Sequence, residues 1–229
     1  MPTSTRSKKV IIAIDGPAGS GKSSTAKALA EKLKLPFIDT GAMYRAVTLK
    51  AMKSGISFLD KKRLLAAAKS SRIELRDSRR GQKVFLDGKD VTRAIREPEL
   101  TQNVVFIARE AAIRREMVKK QRQMGGVAGG VMEGRDIGTK VFPDADYKFF
   151  FVANSRIRAL RRVRDLHAVG KKATLSQVLK DQKIRDKSDT QRTEGPLRQA
   201  KDAIRLDTSL LTIDQTVDKI LQSIDQASQ

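Results

Sequence analysis

Val10 to Ala30, VIIAIDGPAGSGKSSTAKALA, constrains the chain more than any other stretch. A β-branched apolar run, Val10 to Ile14, stops at Asp15, and a glycine-rich turn follows. From Lys22 the apolar residues Ala26, Leu29 and Ala30 recur at helical spacing. Strand, loop and helix in that order require a sheet onto which the helix packs back. Within the loop, Gly16-Pro17-Ala18-Gly19-Ser20-Gly21-Lys22-Ser23 fits the pattern GxxxxGK(S/T), with Ser24 beside it at the helix start. Glycines at 16, 19 and 21 let backbone N–H groups converge on a polyphosphate with no side chain in the way. The helix dipole, a Lys22 ammonium reaching the β and γ oxygens, and a Ser23 hydroxyl able to ligate Mg²⁺ complete an anion cradle for a nucleoside triphosphate.

The rest of the composition narrows the chemistry. With 229 residues and 39% hydrophobic content the chain can bury one substantial core with an insertion or two. It has no cysteine and one histidine, which excludes a disulfide framework, a thiolate nucleophile and a Cys/His zinc site. His167 is read as a solvated residue near a helix end. Catalysis is left to Arg, Lys, Asp and a metal ion. Neither the short basic start, MPTSTRSKK, nor any apolar run suits a signal peptide or a membrane span, so a cytoplasmic protein is expected. A net charge of +21 attracts polyanions of any kind, and with 4% aromatic residues there is no stacking platform for single strands. Nucleic acid is therefore expected to bind only non-specifically, through the basic surface.

Along the chain, Phe37-Ile38-Asp39 reads as a short strand, Ala42 to Ser54 as a helix, and Phe58 to Lys69 as another. From Ser71 to Thr92 the period becomes alternating and is broken by turn signals at Ser78 to Gly81 and Asp87-Gly88, predicting a small β insertion. One long helix is expected from Glu99 to Met124, then a loop over Gly125 to Gly130 and a strand at Val131 to Glu133. The loop Gly134 to Thr139 precedes a strongly apolar strand, Tyr147 to Val152. Asn154 and Ser155 suit the cap of an arginine-rich helix. Leu175 to Lys187 is amphipathic, Ser188 to Pro196 reads as a mobile loop, Ala203 to Leu206 as a last strand, and Ile213 to about Gln226 as a closing helix. The fold class predicted is α/β, a three-layer P-loop fold with a mostly parallel sheet of about five strands, a small β insertion and a helical lid. Ligands in such sheets sit beyond the carboxyl ends of the strands.

FIDTGAMYR (Phe37 to Arg45), EGRDIGT (Glu133 to Thr139), FPDA (Phe142 to Ala145) and RDKSDTQRTEGPL (Arg185 to Leu197) together resemble the cytidylate kinase family of nucleoside monophosphate kinases. The resemblance runs from about Val10 to Asp214. It implies one P-loop kinase domain over residues 1–229, with about 71–92 as the β-rich insertion and about 156–196 as the lid. It also implies that ATP, with Mg²⁺, phosphorylates CMP and dCMP, and a monomer is expected. By motif position, Thr40, Arg45 and Arg135 would hold the acceptor phosphate and Tyr44 would border it, while Arg114 and Asp136 would read the base. Arg185, Asp189 and Arg192 fit the lid pattern, Asp189 facing a sugar hydroxyl and the arginines facing phosphates. Arg158 and Arg162, four apart on one helix, are further candidates for the transferring phosphoryl group. Three positions depart from the family's usual residues: Val105, where a base-contacting Ser is frequent and Asn103 is the nearby substitute; Ser188, where some members carry another lid arginine; and Glu133, where many carry Asp. A kinase for another small acceptor, such as UMP or shikimate, and a basic nucleic-acid-binding P-loop protein are the alternative readings.

Overall fold

The computed structural model describes residues 9–78 and 81–227; most of the basic N-terminal segment and the middle of the turn expected at Ser78 to Gly81 lie outside the described residues. Five parallel strands form the central sheet in the order β2-β6-β1-β7-β8: β1 (Ile11–Asp15), β2 (Phe37–Asp39), β6 (Gly130–Gly134), β7 (Tyr147–Val152) and β8 (Ile204–Asp207). β1 is buried along its whole length, which suits a β-branched run covered on both faces. Ile12 and Ile14 face a core shared with Leu29, Phe149, Phe151 and Ile220, under α1 (Lys22–Leu33) and α8 (Ile213–Ala227). Ala13 points the other way, toward Val118, Met132 and Ile137. Helix, sheet and helix make three layers.

A third core joins α2 (Thr40–Lys53), α3 (Lys61–Ser70), α4 (Pro98–Ala108) and α5 (Ala111–Ala128) to a small antiparallel sheet. That sheet comprises β3 (Ile73–Arg76), β4 (Lys83–Leu86) and β5 (Lys89–Asp90). Two further helices, α6 (Ser155–Ala168) and α7 (Leu175–Gln191), pack on each other beside the carboxyl ends of β1 and β7.

Four expectations are corrected. The single long helix is two: the chain bends at Arg109 and Glu110, and the amide of Arg114 begins a new helical ladder on the carbonyl of Glu110. Gly125 and Gly126 belong to α5 and not to a loop. A Cβ at 125 would stand 2.8 Å from the Phe142 ring and 2.9 Å from the sulfur of Met132, so glycine here permits close packing of helix on sheet. Helix α7 runs on through Ser188 to Gln191, leaving only residues 192–196 of the expected loop. Finally, α3 starts at Lys61, because Asp60 accepts the amide of Arg63 and caps it there.

Candidate active site

The loop between β1 and α1 enters the helix through Gly21, at φ +86°. Glycine is the residue that tolerates this, and it leaves the first turn of α1 with neither a capping side chain nor an acidic residue. By contrast, α2, α3, α6 and α7 each begin with a side-chain cap. The free amides of α1 are thus available to an anion. At the other end of the loop, Gly16 (φ +151°) lies so close to β7 that a Cβ would overlap the carbonyl of Phe151.

Lys22 is buried, its ammonium donating to the carbonyl of Pro17 at 2.7 Å. Burial, and then the charge of Arg135, push it down to about 7, against the pull of Glu133 and Asp15. Ser23 donates its hydroxyl proton to Glu133, whose carboxyl is raised by burial and by Asp39. Asp15, at the end of β1, accepts the amides of Ile137 (2.9 Å) and Gly138 (2.8 Å). Its burial lifts the carboxyl to about 6. Those amides open a π-helical turn, Ile137–Val141, where a loop was expected. Asp136 carries the turn by accepting the amides of Lys140 and Val141 on its carbonyl.

Across the cleft, buried charges alternate. Arg114 donates to Asp136 at 2.5 Å, and Arg192 stands 3.6 Å from the other oxygen of Asp136. Arg192 also reaches Asp189 at 3.3 Å, and Asp189 accepts from Arg135 at 2.8 Å. Burial alone would raise the Asp189 carboxyl, but Arg135, Arg185 and Arg192 outweigh it and hold it below the usual carboxylate range. Arg185 is pushed down to about 10 by burial and by Arg135, with Arg45 and Arg162 adding to the repulsion. Nε of Arg45 and Nε of Arg114 are buried donors without a hydrogen bond among the described residues. A cluster of cations with unused donors is ready-made for oxyanions.

Thr40 donates to the carbonyl of Glu133 at 2.7 Å, which ties the start of α2 to the end of β6. Tyr44 lies under the guanidinium of Arg114, 5.3 Å from carbon to ring centre, and its hydroxyl is pushed up to about 12 by burial. Arg158 is fully engaged: it donates to the carbonyls of Ala18 (3.0 Å) and Ala153 (3.2 Å) and makes a two-pronged pair with Asp186. It braces the phosphate loop against α7. Arg162, on the same helix, is exposed. Val105 is half-buried on α4.

Sequence reasoning missed three contributors. Arg161 donates to the carbonyl of Thr208 at 2.6 Å, with a second nitrogen 3.8 Å from where a Cβ of Gly21 would sit. The Thr208 hydroxyl holds the carbonyl of Ser20 at 2.8 Å. Asp15 read only as the end of a strand. Each acts through a partner distant in the chain, 47 residues away for Arg161 and more than a hundred for Thr208 and Asp15, so no local pattern marks it.

A phosphate loop on the central strand of a parallel sheet, faced by buried arginines from three separate segments, defines a P-loop kinase. The cytidylate kinase family model matches residues 12–226. A cytidylate kinase of Bacillus subtilis is 44% identical over 96% of this chain and 99% of its own length. One of Desulforamulus reducens is 47% identical over 94% and 96%. The chain belongs to the cytidylate kinase family. Among solved structures, an uncharacterized protein from Eubacterium ventriosum superposes with a TM-score of 0.52 at 16% identity, covering 96% of this chain and 99% of that one, and so shares the fold. No described helix is long and apolar enough to cross a membrane.

Proposed function

We propose that the chain transfers the γ-phosphoryl group of ATP to CMP and dCMP, yielding ADP and CDP or dCDP. The observation that carries this reading is the buried Arg114–Asp136 pair next to the arginine cluster, across from the phosphate loop. A carboxylate accepts from the exocyclic amine of cytosine, whereas uracil presents a carbonyl there and leaves the charge unpaired.

An oxygen of the acceptor phosphate attacks the γ-phosphorus as the bond to the β–γ bridging oxygen breaks. The acceptor is already anionic, so no side-chain base is required. Loop residues Gly16 to Ser24 and Lys22 hold the donor. Thr40, Tyr44, Arg45, Arg135 and Arg192 hold and border the acceptor phosphate, and Asp189 takes a sugar hydroxyl. Arg185, with Arg135 and Arg162, faces the equatorial oxygens, while Arg158 steadies the loop.

Among the described residues no three His, Cys, Asp or Glu side chains gather as a metal site. Ser23 beside Glu133 would instead hold a Mg²⁺ brought in by the triphosphate. Bound there, Mg²⁺ would offset charge on the β and γ oxygens. In this reading the enzyme is a cytoplasmic monomer acting on free nucleotides.

The direct test is ATP-dependent ADP release with CMP, dCMP, UMP, AMP, GMP and shikimate. Turnover confined largely to CMP and dCMP is expected; equal turnover with UMP would remove Asp136 from base reading. A second test uses Lys22. Its ordinary value is 10.5, and in the free protein it is about 7, so in the window between them the side chain is mostly neutral. Triphosphate restores the charged form, so nucleotide binding at about pH 8.5 takes up close to one proton. Calorimetry in two buffers of different ionisation enthalpy should give different heats, and Lys22→Met should abolish the difference. Equal heats in the unsubstituted protein would show that binding takes up no proton and would overturn this account of Lys22.

A further inference from the structure

The strap after α7, residues 192–197, crosses the acceptor side of the cleft. Two of its contacts belong to the site already described. Arg192 reaches Asp189 and Asp136, and the chain lies so near Asp136 that a Cβ on Gly195 would overlap the carboxylate.

A third contact does not. The Glu194 carboxylate lies 2.8 Å from the ammonium of Lys140 and 3.6 Å from the guanidinium of Arg115. Lys140 belongs to the π-helical turn that opens at Asp136, and Arg115 follows Arg114 on α5. One carboxylate on the strap is thus fastened to both elements that carry the Arg114–Asp136 pair. The Glu194 side chain is 17% exposed, against 47% for Lys140 and 60% for Arg115, so the anion is sheltered and the cations reach in from the rim.

We propose that Glu194 is a positioning residue for the acceptor: with Lys140 and Arg115 it latches the strap, and through the strap Arg192 and Asp189, over the base pocket. The inference rests on assigning Arg114 and Asp136 to the acceptor base. The strap's other anchors are the buried Leu197 side chain and the Leu197 amide, which donates to the carbonyl of Asp189 at 2.8 Å. Half-exposed ion pairs are individually weak, so this latch biases closure without locking it. It lets the strap open for product release on each cycle.

The test is a cycle of Glu194→Gln, Lys140→Met and the double variant. KM for CMP should rise about two- to fivefold in each single variant, with kcat equal or higher and KM for ATP unchanged. The double variant should be no worse than Glu194→Gln alone, because both remove the same contact. Amide exchange at Leu197 should quicken in Glu194→Gln. An unchanged KM for CMP, or single effects that multiply in the double variant, would overturn the latch. If the unsubstituted protein does not use CMP, the base assignment fails separately; the latch is then judged on Leu197 exchange, and unchanged exchange rejects it.

Discussion

Replacing Arg185 with alanine should lower turnover with CMP by about three orders of magnitude, roughly 4 kcal/mol of transition-state stabilisation. It should leave the unliganded fold as stable as before, or more so. The two halves of this result have one cause. Arg185 stands among Arg135, Arg45 and Arg162, and burial together with that repulsion weakens its hold on its proton. Without phosphate, then, the side chain adds strain; with a transferring phosphoryl group in place its charge is neutralised where charge develops. Steady-state kinetics read the first half and thermal melting the second. A melting temperature several degrees lower, with turnover intact, would mean that Arg185 serves the fold and not the reaction.

Asp136→Asn is expected to have the next largest effect, and on specificity more than on rate. Asparagine can turn its amide N–H₂ toward the carbonyl of uracil, so the preference for CMP over UMP in kcat/KM should fall by about a thousandfold, roughly 4 kcal/mol. Stability should fall as well. Arg114 is 1% exposed and loses its charged partner, while Arg192 loses one of two. Removing one side of such a buried pair costs about 3 kcal/mol or more. Denaturant unfolding measures the loss, and saturating CMP should recover part of it by mass action. Preserved discrimination would place the base elsewhere in the cleft.

The strands and the phosphate loop were readable because their signals are local: a β-branched run ending at Asp15, and glycines where the backbone turns through positive φ at Gly16 and Gly21. What escaped depends on residues distant in the chain. The break at Arg109 and Glu110 carries no glycine or proline, and Gly125 looks like a turn until Phe142 and Met132 are seen against it. The acidic partners of the site arginines follow the same division. Asp136 sits in one quoted motif and Asp186, Asp189 and Glu194 in another, but that Asp186 holds Arg158 and Glu194 holds Lys140 shows only once α7 lies beside the cleft.

The carboxylate of Asp15, clasping the amides of Ile137 and Gly138, ends the strand that feeds the donor loop and at the same time anchors the turn that follows Asp136. With the nucleotides placed as proposed, this one carboxylate sets the span between the footing of the donor and that of the acceptor. The span rests on Asp15 and two backbone amides, so it does not involve the side chains assigned to the acceptor base.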